Sequence, residues 1–201
     1  MSANLTVNEI FYSLQGEGAR AGTPNVFIRL SKCNLSCWFC DTEFESGKMY
    51  SLEQLAGEIS QFPCQNIIWT GGEPALQLTD AITGFFKDLG YYQAIETNGT
   101  RALPKNIDFI TCSPKQVTPG QLKKNFPDGV SEIKCIFNER PEYDLEELPK
   151  AEHYFLSPVF LGKKKERMEL DRNILQDCID YILDRPGWRL SIQQHKIWNI
   201  R

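Results

Sequence analysis

The chain has 201 residues, 41% of them hydrophobic and 24% charged, with a formal net charge of −4 at pH 7. That size and balance fit one globular domain and exclude the basic surface that generic nucleic-acid binding requires. No run reaches the roughly 20 apolar residues of a membrane span, and the start, MSANLTVNEIFYSLQGEG, has neither the basic nor the apolar stretch of a signal peptide. A cytoplasmic protein with no membrane partner is therefore expected, with its seven cysteines as thiols or metal ligands.

Asn25–Leu30 (NVFIRL) reads as the first clear strand. Ser51–Phe62 reads as a helix, Ser51 capping it and Gln54 completing a capping box. Asn66–Thr70 (NIIWT) is a strand, and Thr79–Leu89 a helix stopped by Gly90. Tyr92–Glu96, Ile107–Cys112 and Ser131–Phe137 follow as strands, with a weaker one at Tyr154–Leu156. The basic run Lys163–Lys165, flanked by Glu166, reads as a solvated loop. Asp171–Asp184 is a helix with Ile174, Leu175, Cys178, Ile179 and Ile182 on one face, and Trp188–Gln193 is the closing strand. Asn98–Pro104 and Pro114–Asp128 are too rich in turn residues for helices. Alternating strands and helices predict an α/β fold. With two helices missing, the expected architecture is an incomplete (βα) barrel, a modified partial TIM barrel. It has about six mostly parallel strands and about three main helices, in a single domain spanning 1–201. Loops after parallel strands share one face of such a barrel, where chemistry is built.

Cys33, Cys37 and Cys40 form a C-x3-C-x2-C run with no fourth cysteine nearby. Three thiolates can hold three corners of a cubane iron–sulfur cluster and leave one iron open for a ligand. A zinc site or plain reduced thiols are the alternatives that spacing leaves standing. Trp38 and Phe39 are expected to shield such a cluster from water. Cys64, Cys112, Cys135 and Cys178 read as small buried hydrophobes. After the next strand, Thr70-Gly71-Gly72-Glu73-Pro74 is either a plain turn or a place where a ligand meets bare backbone.

Taken together, CNLSCWFC and TGGEP resemble the cluster loop and GGE segment of the radical S-adenosylmethionine (SAM) superfamily. The resemblance narrows with FYSLQGEG (Phe11–Gly18), Arg29 in FIRL, and CDT after the last cluster cysteine. It continues through ETNGT (Glu96–Thr100), Ser113-Pro114-Lys115, Glu132-Ile133-Lys134 and Gln194-His195-Lys196. These are similar to the 7-carboxy-7-deazaguanine synthases, and they span nearly the whole chain. The spacing between the first two cysteines is the short one, without the long insert that some members carry.

The resemblance implies a radical SAM core that turns 6-carboxy-5,6,7,8-tetrahydropterin into 7-carboxy-7-deazaguanine and ammonia, in queuosine and other 7-deazapurine synthesis. It implies a 4Fe-4S cluster on Cys33, Cys37 and Cys40, with SAM chelating the open iron. SAM is expected to meet Gly72, Glu73, Ser113, Pro114, Lys115, Ser157, Pro158, Val159 and Phe160, backbone groups around Thr70–Gly72 and the Glu73 carboxylate together receiving its amino group. The pterin is expected to meet Leu14, Gln15, Gly16, Glu17, Thr70, His195 and the Arg201 carboxylate, while Arg29 binds the substrate carboxylate through its planar fork. Thr42 is the candidate Mg2+ ligand, beside Asp41, unless the two merely form a turn. Glu96, Asn98 and Lys134 are further candidates, or internal ion pairs. His153 reads as a packed or surface histidine. An external flavodoxin or ferredoxin is expected as reductant, and a homodimer as assembly. A glycyl-radical activase and a non-enzymatic zinc-stabilised binding module are the competing readings.

Overall fold

The computed structural model describes residues 4–161 and 169–201; the run Lys163–Lys165 lies outside them. The chain opens with β1 (Asn4–Leu14), β2 (Pro24–Leu30), β3 (Lys48–Ser51), α1 (Leu52–Ile59) and β4 (Asn66–Gly71). It continues through α2 (Asp80–Asp88), β5 (Tyr92–Thr97), β6 (Phe109–Cys112), α3 (Pro119–Asn125), β7 (Val130–Phe137) and β8 (Ala151–Pro158). A small pair, β9 (Phe160–Leu161) and β10 (Glu169–Leu170), precedes α4 (Arg172–Leu183), β11 (Arg189–Leu190) and α5 (Gln194–Trp198). The main sheet runs β11-β8-β7-β6-β5-β4-β2-β1-β3. From β2 to β11 all neighbours are parallel, while β1 and β3 are antiparallel additions at one edge.

Parallel strands are covered on both faces, so their central residues read as unbroken apolar runs. Ile67, Ile68 and Trp69 of β4 are each at most 1% exposed. The outer face of β1–β5 packs on α1 and α2 through Leu55, Ile59, Ile82 and Phe86. The outer face of β6–β8 packs on α3 and α4 through Leu122, Phe126 and Cys178. On the inner face, Phe11, Phe27, Ile68 and Ala94 form a smaller cluster, with the Phe11 and Phe27 rings stacked at 4.9 Å.

The sheet is wider than the expected six strands, and five helices are present among the described residues. Strand β1 went unseen because a bulge between Val7 and Glu9 breaks its alternation. The bulge turns Leu5 and Val7 to the outer core while Phe11 joins the inner one. Helix α3 starts on Pro119, with Thr118 capping the Gln121 N–H. A proline read as a breaker thus occupies the first turn, where its missing N–H costs nothing. The expected strand Trp188–Gln193 shrinks to β11 because the chain turns into α5. The capping box on α1 and the left-handed Gly90 after α2 are present as read. Cys112, Cys135 and Cys178 are buried, but Cys64 is half-buried, its thiol on the Pro24 carbonyl.

Residues 15–20 leave β1 and cross the concave face to β7 and β11. The Gly18 N–H donates to Ser191 Oγ at 2.9 Å and the Ala19 N–H to Glu132 Oε2 at 2.8 Å. Five strand spacings of about 4.8 Å separate β1 from β7 in a flat sheet, so these bonds require a curved sheet whose open side this segment spans. Gly18 has φ +68°, and a Cβ there would sit 2.2 Å from Glu132 Oε1; one on Gly16 would sit 2.3 Å from His195 Nδ1. Both glycines of QGEG are close-approach positions.

Candidate functional site

A cavity of about 460 Å³ occupies the concave side of the sheet, where the parallel strands end. Its floor is a buried polar network. Glu17 and Lys134 form an ion pair, their side chains 13% and 10% exposed. Glu17 Oε1 also accepts from Gln193 Nε2 at 2.9 Å. Glu96 accepts from Gln15 Nε2 at 3.0 Å and from Thr70 Oγ1 at 2.7 Å. Glu132 accepts from Thr111 Oγ1 at 2.9 Å. Burial alone raises the Glu17 carboxyl, but Lys134 and Gln193 overcome this and hold it at about 2. Burial likewise opposes the Lys134 charge, yet Glu17, Glu96 and Glu132 raise its pKa above the ordinary lysine range. The Glu17–Lys134 pair is therefore charged at neutral pH. His195 packs over Gly16, and burial lowers its pKa against the pull of Glu17, leaving the imidazole neutral.

Above the floor, the loop after β2 brings Cys33, Cys37 and Cys40 to the cavity. The Cys40 N–H donates to the Cys37 carbonyl at 3.1 Å. Asn98 places its side-chain amide 4.0 Å from Cys33 Sγ. Thr42 and Arg29 also face the cavity; Arg29 Nε lies 3.4 Å from Glu9 Oε2. The rest of the wall comprises Thr70, Gly71 and Gly72, which adjoin the start of the cysteine loop, together with Ser113, Lys115 and the segment Ser157–Phe160. Arg201 closes the rim, with its NH1 on Glu9 Oε1 at 2.5 Å and its main-chain oxygen taking the Ser13 hydroxyl at 2.6 Å.

Three expectations need correction. Glu73 is 0% exposed and does not line the cavity. Its oxygens accept from Thr97 Oγ1, the Asn98 N–H and the Ala75 N–H at 2.7–3.0 Å, so it fastens the β4 loop to the β5 loop and offers no face to an ammonium group. Pro114 lines a separate groove, although Ser113 and Lys115 on either side reach the cavity. Trp38 is 70% exposed and does not line the cavity; Phe39, edge-on to it, is the one of the two that does.

Among the described residues no three Cys, His, Asp or Glu side chains gather round a single point as one metal ion requires. A cubane differs, because each thiolate binds its own iron and the ligands stay spread apart. The three cysteines are unpaired, partly exposed and turned to one cavity, which suits the spread arrangement. Burial raises the Cys37 thiol, opposed by the nearby Lys115 ammonium; ligation to iron would ionise it outright.

Sequence reading missed Glu9 and Gln193 and named Asp41 and Lys196 only as parts of motifs, with no role of their own; all four line the cavity. Glu9 carries no motif, and only the β1 bulge aims it inward. Gln193 and Lys196 sit beside the singled-out His195, but their partners are distant in sequence. Lys196 Nζ pairs with Asp41 Oδ2 at 2.6 Å.

The Radical SAM superfamily model matches residues 27–120. A 7-carboxy-7-deazaguanine synthase from Bacteroides thetaiotaomicron is 43% identical over 195 residues, covering 97% of this chain and 98% of that protein. The synthase of the same name from Haemophilus influenzae is 37% identical, covering 98% and 94%. The crystal structure of QueE from Escherichia coli superposes with a TM-score of 0.72 at 24% identity, covering 96% and 95%. The last likeness supports the α/β fold with its mostly parallel sheet.

Proposed function

Because this chain belongs to the 7-carboxy-7-deazaguanine synthase family of radical SAM enzymes, we propose that its cavity converts 6-carboxy-5,6,7,8-tetrahydropterin to 7-carboxy-7-deazaguanine and ammonia. One observation carries the reading: the three-cysteine loop, Arg29 and the Glu17–Glu96 floor open on the same cavity. Neither competing reading asks for that. A zinc module needs no deep charged floor, and an activase needs room for a protein segment.

Cys33, Cys37 and Cys40 would hold the 4Fe-4S cluster, and SAM would lie along Gly71, Gly72, Ser113, Lys115 and Ser157–Phe160. When bound, cluster and SAM together supply the one-electron chemistry that starts the rearrangement. The protein's own residues then bind, orient and exclude water. With Glu73 turned inward, the main chain of Thr70–Gly72 takes the ammonium group without it. Arg29 is engaged by Glu9 through Nε, and its terminal nitrogens form the fork for the substrate carboxylate. Glu17 and Glu96 accept from the N–H groups of the pterin edge, with Gln15 and Thr70 fixing Glu96 in place. Neutral His195 and Arg201 close the substrate side. Thr42, with Asp41 beside it at 3.4 Å, gives Mg2+ the oxygen donors a hard cation takes.

In this reading 1–201 is one radical SAM domain built on an incomplete (βα) barrel, whose gap the 15–20 segment spans. It acts as a cytoplasmic homodimer fed by flavodoxin or ferredoxin. No described helix is long and apolar enough to cross a membrane. The test is anaerobic turnover of the reconstituted protein with SAM, reductant and the carboxypterin. Deazaguanine product and ammonia are expected. Iron and sulfide at full content with no product would overturn the substrate assignment, and stoichiometric zinc without sulfide would overturn the cluster.

A further inference from the structure

Helix α5 has five residues, buries none of them and has no side-chain cap. A helix this short does not hold itself together. Polar contacts made by its own residues and its flanks hold it instead. The Gln194 N–H donates to the Gly16 carbonyl at 2.9 Å. Lys196 Nζ pairs with Asp41 Oδ2 at 2.6 Å, donates to Gln193 Oε1 at 2.7 Å and lies 4.8 Å from the centre of the Phe160 ring.

These contacts join into one chain. Thr42 Oγ1 donates to Asp41 Oδ1; Asp41 pairs with Lys196; Lys196 holds Gln193; Gln193 donates to Glu17; and Glu17 pairs with Lys134. Donors and acceptors alternate without a break from the loop after Cys40 to the cavity floor. Lys196 is the link at which the chain passes from one wall to the other. Its third neighbour, Phe160, ends the segment assigned to SAM.

We propose that Lys196 is a positioning residue: through Asp41 and Gln193 it locks the Thr42 loop to the Glu17 floor, so that both ends of the substrate are held in one register. The substrate part of this statement rests on the pterin reading above; the mechanical coupling does not. Removing the Lys196 charge loosens α5 and the Asp41 end of the 41–46 loop together, although the two are about 150 residues apart; the rest of that loop stays tied through the Lys32 N–H to the Phe44 carbonyl and through Ser31 and Asn8 to Ser46. The pair is partly exposed, at 17% and 34%, so the loss is modest, about fivefold.

The experiment compares wild type, Lys196→Met, Lys196→Arg, Asp41→Asn and the Asp41→Asn/Lys196→Met double variant, all cluster-reconstituted. Backbone hydrogen exchange is read first, without substrate. Lys196→Met is expected to speed exchange in both 193–200 and 41–46, and Lys196→Arg to restore it. Turnover is read second. KM for the pterin is expected to rise about fivefold with kcat held within about twofold, and the double variant to be no worse than either single one. Faster exchange confined to 193–200 means a local prop and overturns the proposal, as do additive losses in the double variant. Lys196 is remote in sequence from the cysteines, so its variant reads the coupling even where Asp41→Asn lowers iron content. Should wild type fail to turn over the pterin, the function falls while the exchange data still decide the coupling.

Discussion

Gly72→Ala tests how the cluster loop is anchored. The Gly72 N–H donates to the Leu30 carbonyl at 3.0 Å and the Glu73 N–H to the Lys32 carbonyl at 2.9 Å. These two bonds tie the end of β4 to the residues that lead into Cys33. A Cβ on residue 72 would sit 1.8 Å from the Lys32 oxygen, 2.4 Å from its carbonyl carbon and 3.0 Å from the Cys33 nitrogen. An ordinary carbon–oxygen contact needs roughly 3.3 Å, so backbone must part by about 1.5 Å. No side chain can turn aside to absorb this, because all three of these atoms are main chain. Forcing a packed site apart costs about 1–3 kcal/mol. Stranding the Glu73 N–H, next to a carboxylate that is 0% exposed, adds about 1–3 kcal/mol. Urea unfolding should therefore show a loss of about 2–6 kcal/mol, and iron bound after anaerobic reconstitution should fall with it. Gly57→Ala is the control: it is exposed on α1 with nothing within 4 Å, and should stabilise by about 0.5–1 kcal/mol. A Gly72→Ala protein within about 0.5 kcal/mol of wild type and with its full iron content would refute the reasoning.

Four further outcomes follow from the site. Lys134→Met leaves the Glu17 charge buried alone and should cost about 3–5 kcal/mol in urea unfolding, much of it recovered by adding Glu17→Gln. Glu17 is held at about 2 against an ordinary 4.5, so its contribution to stability is complete above pH 4.5 and is lost as pH falls towards 2; Glu17→Gln should shrink the acid limb of the stability curve in that window. The His195 imidazole should titrate below its ordinary 6.5 by NMR; its contribution to stability is full above pH 6.5 and is lost as pH falls through the folded-state value. Thr42→Ala should weaken the response of turnover to Mg2+ while iron and sulfide stay at wild-type content, and unchanged activity across a Mg2+ titration would remove Thr42 from the metal site.

What the sequence made legible was local. Ser51 and Gln54 are three residues apart, so the box they form on α1 is visible without a structure. The cysteine run and the Gly-Gly loop are likewise short-range patterns, and each marks the end of a parallel strand. What stayed hidden was set by distance along the chain. Glu17 meets Lys134, Asp41 meets Lys196 and Glu73 meets Asn98 across dozens of residues. For Glu73 the motif was found but the direction of the side chain was not: three donors arriving from two loops turn it into the protein. β1 was missed for a related reason, since its bulge divides the apolar residues between two cores.

The arrangement of charge also explains how the proposed substrate is oriented. Glu17 and Glu96 line the cavity beside the Lys134 ammonium, while Glu132 lies behind them near Arg20, so the floor presents two carboxylates to one ammonium. Arg29 lies in the wall of the same cavity. A carboxypterin has an N–H-rich edge at one end and a carboxylate at the other, so it matches the cavity in one direction only. Turned round, its carboxylate would face Glu17 or Glu96. Two like charges about 4 Å apart at an effective dielectric of about 20 repel by about 4 kcal/mol. That is nearly a thousandfold in occupancy from a single contact, before the lost Arg29 pairing is added. In the proposed pose, repulsion at the wrong end would therefore act together with the Arg29 pairing to set orientation. Glu96→Gln should therefore relax binding direction and weaken inhibition by non-carboxylated pterins far less than Arg29→Met weakens binding of the carboxypterin; equal losses from the two substitutions would show that the floor does not discriminate.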